Sequence, residues 1–182
     1  MSSRAQRRLA QQAARQRRRR RRWLLQGVGI AVVLAIAVLA YRSLTTEYPG
    51  RAVSTLGNQH IASPDAPHLP YNTRPPTSGP HVDWIAPWGV HRQPIPDELQ
   101  VHNLEDGGVA VQYNCRDCDD LVAKLAAIVS PYPDKVILAP YPTMDSRIAL
   151  TAWGRIDTLD EVDAQRIVRF IEAYRGIDHH PR

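Results

Sequence analysis

No acidic side chain occurs among the first 22 residues, and no charged one occurs between Trp23 and Tyr41. The first absence leaves the ten arginines of residues 1–22 unbalanced, against a net charge of +5 for the whole chain. Taking those ten from +5 leaves −5 for the remainder, so the basic pI of about 9.6 reports the tail. The rest of the chain is mildly acidic. That excludes the usual nucleic-acid-binding domain, because phosphate recognition needs positive charge on the folded surface. Aromatic residues are scarce at 7%, with a single Phe at position 170. Proline is abundant instead, at 15 residues, most of them between Pro49 and Pro142. The middle of the chain should therefore hold much irregular backbone, since proline fixes φ and cannot donate to a ladder.

The uncharged run 23–41 has 19 residues and one strongly polar side chain, Gln26. At 1.5 Å per residue a helix of that length spans about 28 Å, near the hydrocarbon thickness of a bilayer. It lacks an amphipathic face, as suits a helix surrounded by lipid. Trp23 and Tyr41 stand at its ends, where amphipathic rings prefer to lie. The arginine cluster 17–22 precedes it, and a nearly balanced flank of Arg42, Glu47 and Arg51 follows. The positive-inside rule expects a cytoplasmic tail at 1–22, a transmembrane signal-anchor helix at 23–41, and everything later on the extracytoplasmic side. A signal peptide cleaved after Val38 and Ala40 is the alternative, although such peptides usually have a shorter apolar core.

Residues 42–56 read as a tether, and 57–176 as the extracytoplasmic domain. The stretch 57–96 is a Pro/His-rich ribbon with little regular structure, pinned to a core by Trp84, Ile85 and Trp88. Alternation then predicts a strand at 108–113. Leu121, Val122, Leu125, Ile128 and Val129 share one helical face, which predicts a helix over Asp119–Val129 that Pro131 stops. Short apolar runs predict strands at 135–139 and 148–156. Thr158 and Glu161 have the spacing of a capping box and predict a helix from there to Tyr174, with Val162, Ile167, Phe170, Ile171 and Tyr174 facing inward and Gly176 as the stop. Residues 177–182 are expected to be a flexible tail. The sum is an α+β fold: a small mixed sheet with two helices and a long irregular N-terminal ribbon, preceded by one transmembrane helix. No internal repeat is present.

Four ordered motifs carry a resemblance. They are Pro75-Pro76-Thr77-Ser78-Gly79-Pro80-His81, Trp88-Gly89-Val90, Val101-His102-Asn103-Leu104-Glu105-Asp106-Gly107-Gly108-Val109, and Ala149-Leu150-Thr151-Ala152-Trp153-Gly154. Together they resemble the bacterial membrane-anchored family known as domain of unknown function 3105, over roughly residues 57–174. The resemblance implies a bacterial cytoplasmic membrane and an anchor ahead of the domain, and no established activity. One departure stands out: the family motif reads HNLEHGG, and here Asp106 replaces its second histidine.

Three kinds of chemistry are open. His60, His81, His102 and Glu105 are metal-ligand types, and Met144 adds a thioether. Extracytoplasmic His/Met sets suit copper, and His/carboxylate sets suit zinc or iron. Gly107 and Gly108 let another segment approach the backbone closely. The same histidines would alternatively hold an irregular ribbon in place by bonding its buried amides. His68 and His91 are weaker ligand candidates, and His179 and His180 fall in the expected tail. The pair Cys115 and Cys118 suits a structural disulfide in an oxidising compartment or a redox pair at a helix N-terminus. Asp117, Asp119 and Asp120 oppose the thiolate that redox catalysis needs, and the strands that normally precede such a motif are missing. Ser78 lacks the strand–turn–helix setting of a hydrolase nucleophile. The residues thus point to a non-enzymatic, membrane-anchored domain that binds a transition metal, copper or zinc. A thiol–disulfide oxidoreductase and a cell-envelope interaction module with structural histidines are the alternatives. The lipid bilayer is the one partner expected in every case, with no nucleic acid for the folded domain.

Overall fold

Along Val109–Tyr113, large and smaller side chains alternate, and every residue of the segment is buried. Such a strand must be covered on both faces, and the rest of the fold supplies the covers. The computed structural model describes residues 23–39, 41 and 48–180. The arginine-rich tail and residues 42–47 of the tether lie outside the described residues, as do positions 40, 181 and 182.

Two units make up the chain, with the division after Glu47. In the first, residues 23–39 are helical (α1), and their side chains are exposed. The expected membrane helix is thus met in part: among the described residues, no helix is long and apolar enough to cross a membrane.

The second unit contains a six-stranded mixed sheet in the order β1-β6-β5-β3-β4-β2. Its strands are β1 (Arg51–Ala52), β2 (Gly89–Val90), β3 (Val109–Tyr113), β4 (Val136–Pro140), β5 (Ile148–Ala152) and β6 (Arg155–Leu159). Parallel pairs join β3 to β4 and β4 to β2, and the others are antiparallel. The helices are α2 (Asp97–Glu105), α3 (Asp119–Val129) and α4 (Ala164–Tyr174). α3 is the crossover that a parallel β3–β4 pair requires.

Period-two alternation sends Val109, Val111 and Tyr113 to one face, where they pack with Leu121, Leu125 and Val129 of α3 and Ile167, Phe170 and Ile171 of α4. Burying each of those large side chains stabilises the fold by about 2 kcal/mol. Ala110 points the other way, toward Leu104 of α2, Ala86 and Ile95, with Trp88 and Trp153 packed alongside. Gln112 also lies on that second face. It donates to Gln100 and accepts from Thr151, so the polar atoms buried under α2 are satisfied.

Four expectations are corrected. The single strand predicted at 148–156 is a hairpin, β5 and β6, turning at Trp153-Gly154, where Gly154 takes φ +66° without the steric penalty a side chain would meet. The capping box at Thr158 does not form, because Ala149 pairs with Thr158 and Ile148 with Leu159 in the sheet. α4 starts later, with the Asp163 carboxylate accepting from Arg166 N–H at 3.0 Å. Arg51 and Ala52, read as tether, add an edge strand to β6. Finally, α2 was not anticipated at all. Its buried residues include Gln100, His102, Asn103 and Glu105, so the apolar periodicity that would announce a helix is missing.

Candidate metal centre

The ribbon reaches the site by pairing with itself. His60 and His81 form an isolated parallel bridge, with Ile61 N–H donating to the His81 carbonyl at 2.8 Å and His81 N–H to Gln59 at 3.0 Å. Ser78 helps to hold this arrangement, since its hydroxyl accepts from Leu56 N–H at 3.0 Å. α2 brings the other half. His102 and Glu105 are three residues apart and so share a face near its C-terminal end. Asn103 fixes the ribbon against α2 through two bonds to Ala86, one to its N–H and one to its carbonyl, both 2.9 Å.

These elements bring three imidazoles together. Ring centroids are 4.9 Å apart for His60 and His81, 5.1 Å for His81 and His102, and 5.4 Å for His60 and His102. His60, His81, His102 and Glu105 each offer one ligand atom, all within 4.8 Å of one another, so the cluster can hold a metal ion. His81, His102 and Glu105 are buried, while the His60 side chain is 47% exposed and marks the open side.

Hydrogen bonds set the ring orientations. A backbone carbonyl only accepts, so Nδ1 of His81 must donate to Gly79 O, and Nδ1 of His102 must donate to Val82 O, both at 2.7 Å. That leaves Nε2 as the ligand atom of each ring, and Nε2 of His81 lies 2.8 Å from the Glu105 carboxylate. Anchoring one nitrogen to aim the other is the usual support of a metal-binding histidine. Burial, with the neighbouring His81 adding to it, holds His102 below the ordinary histidine range. Both effects favour the neutral ring, in which the Nδ1 bond to Val82 leaves the lone pair at Nε2.

Two further residues lie beside the site: Asp106, whose carboxylate is a ligand type by sequence as well, and His180, which sequence reasoning assigned to the tail. Asp106 and His180 form a second group with His102, their ligand atoms again within 4.8 Å. His180 Nε2 lies 3.8 Å from the Asp106 carboxylate and 3.5 Å from that of Glu105. The hydrogen bond that the His180 ring donates to the Asp178 carboxylate, first among several causes, raises the pKa of His180. The expected free tail is therefore docked as far as residue 180. Gly176 N–H donates to Gly107 O at 2.7 Å, and His179 N–H to Glu105 O at 2.9 Å. Gly107 makes room for it, whereas Gly108 packs against Asn103 and Trp88. A Cβ on Gly107, which has φ +78°, would lie 2.7 Å from the Ile177 backbone, and one on Gly108 would lie 2.4 Å from Asn103 O. The available signal for His180 was its residue type alone.

The remaining candidates lie elsewhere. Met144 is buried with Tyr141 and Ala149, and its carbonyl accepts from Asn114, beyond the C-terminal end of β3. The histidines cluster at the start of that strand, so Met144 is no ligand of theirs. His68 pairs with Glu98 at 3.2 Å, and His91 bonds the Pro87 carbonyl. Cys115 and Cys118 are joined in a disulfide just before α3, packed against the main core.

No curated protein and no solved structure matches the chain. A family model does: that of the family described as protein of unknown function (DUF3105) matches residues 64–182, and the chain belongs to that family.

Proposed function

We propose that the chain is a membrane-anchored domain on the extracytoplasmic side of a bacterial cytoplasmic membrane, and that it binds one transition-metal ion through His60, His81, His102 and Glu105. One observation carries the reading: Nδ1 bonds to backbone carbonyls leave Nε2 as the ligand atom of both His81 and His102, and that of His81 lies 2.8 Å from the buried Glu105 carboxylate. A cluster that served only to pin the ribbon would need the Nδ1 bonds alone. Without a metal, a proton has to lie between the buried His81 Nε2 and Glu105 Oε2, and a cation can take its place. Three imidazoles and one carboxylate suit zinc or copper(II). The position of Met144 removes the thioether that would have favoured copper(I).

The anchor is supported by the 19-residue uncharged run beside ten arginines, and by the helical residues 23–39. Three of the four proposed ligands fall within the matched family segment, and His60 precedes it by four positions.

Metal analysis of the full chain, purified in detergent, tests the reading against the His81→Ala/His102→Ala double variant. About one equivalent of zinc or copper in the wild type, and loss of it in the variant, is expected; equal content in both would end the proposal. Protease added to intact spheroplasts should digest the domain and spare the arginine-rich tail.

A further inference from the structure

We infer that the His102–Asp106–His180 group is a transfer position, through which a metal ion passes on its way to and from the buried site. This rests on the metal-binding reading above, and it assigns a route to that site.

The two ligand groups share His102. Its Nδ1 is occupied by the Val82 carbonyl at 2.7 Å, so Nε2 is the sole free nitrogen for either group. A nitrogen lone pair serves one metal ion at a time, so the two positions are alternatives. Ions at both would sit about 2 Å from the same atom, which places the positions no more than about 4 Å apart. Glu105 links them from the other side, since the same oxygen, Oε2, lies 2.8 Å from His81 Nε2 and 3.5 Å from His180 Nε2.

The groups differ in access. The His180 side chain is 38% exposed and that of Asp106 28%, whereas those of His81 and Glu105 are 0% and 1%. An ion arriving on the side of the docked tail therefore meets His180 and Asp106 first; among the ligands of the buried site it is His60, 47% exposed, that also faces water. A buried site with a fixed ligand set exchanges slowly when every bond must break before any forms. Here His102 stays bound while Asp106 and His180 are replaced by His81, Glu105 and His60, so no fully stripped ion is needed. The docked tail that carries His180 is thus part of the route.

The test is stopped-flow mixing of the full chain in detergent with copper(II) chloride, read by tryptophan quenching. Trp153 is a suitable reporter, with its ring 6.1 Å from that of His81. The wild type should take up one ion per chain. His180→Ala and Asp106→Asn should each keep that stoichiometry and an equilibrium affinity within about threefold, while uptake and release both slow by about tenfold. Asp106→Asn guards against a loss of tail docking, because the backbone bonds that hold the tail, Gly176 to Gly107 and His179 to Glu105, do not involve its side chain. Unchanged rates in both variants, or two ions per wild-type chain, overturn the transfer position and leave the metal site standing. A wild type that takes up no ion overturns both.

Discussion

His81 Nε2 lies 2.8 Å from Glu105 Oε2, and neither side chain reaches solvent. Because Nδ1 of His81 already donates to Gly79, Nε2 and the carboxylate oxygen would otherwise be two acceptors in contact. A proton must lie between them, or a cation in its place. At this pair, a metal ion bound as proposed would compete with a proton for the same gap.

Glu105→Gln should separate fold from binding. The glutamine amide can donate to His81 Nε2, so stability should change by no more than about 1 kcal/mol. Metal affinity should fall by about 100-fold or more, because an anionic ligand is lost. Isothermal titration with zinc, alongside denaturant unfolding of the metal-free protein, reads both quantities. Retention of full affinity would show that Glu105 is not a ligand.

Substitutions at the two glycines should act differently. Gly108→Ala pushes a methyl group against Asn103 O and Trp88, which joins the small core under α2, and should cost about 1–3 kcal/mol of stability. Gly107→Ala meets the Ile177 backbone and the penalty of a positive φ, about 1–2 kcal/mol, and should displace the tail from Glu105. Limited proteolysis after residue 176 should accelerate in Gly107→Ala, and hydrogen exchange at His179 should lose protection.

Asp97 predicts a pH effect far from the metal centre. Burial, partly offset by the hydroxyl of Tyr141 at 2.9 Å, raises its pKa from 3.8 to about 6. The folded state thus holds this proton more tightly than the unfolded one, and stability from this group falls as pH rises from about 4 to 6. The ceiling on the effect is about 3 kcal/mol. Asp97→Asn should therefore be more favourable relative to wild type at pH 7 than at pH 4, in urea midpoints taken at both. A constant difference would show that Asp97 titrates normally.

The disulfide should be a local staple. Replacing Cys115 and Cys118 by serine opens a loop with a sequence separation of 3, for which chain entropy gives about 2 kcal/mol. Metal binding should be unaffected, since the pair lies before α3, past the opposite end of β3 from the histidines. Insulin reduction by the wild type should show no turnover. Turnover there would favour the oxidoreductase alternative.

Much of the sheet was legible because its strands and the helices α3 and α4 bury apolar faces at their own periods. The three clustered histidines were legible by residue type and by their setting in glycine- and proline-rich backbone. α2 was not, because the face it buries carries Gln100, His102, Asn103 and Glu105, and its candidate ligands hide the helix that positions them. The hairpin and the true cap were missed because cross-strand pairing overrode a local capping signal at Thr158. His180 was missed because its position depends on backbone bonds to Gly107 and Glu105 that leave no pattern in the chain.

The docking of residues 176–180 also sets an order of assembly. His180 follows His60 by 120 positions. At about 5–20 residues per second of synthesis, His180 leaves the ribosome roughly 6–24 seconds after His60. Only in the last 75 residues of that interval, after Glu105 has also emerged, can a nascent chain bring His60, His81, His102 and Glu105 together, and it then has no docked tail over Gly107. A cation acquired then would enter without passing His180, so metal loading early and late in the life of the molecule would follow different kinetics.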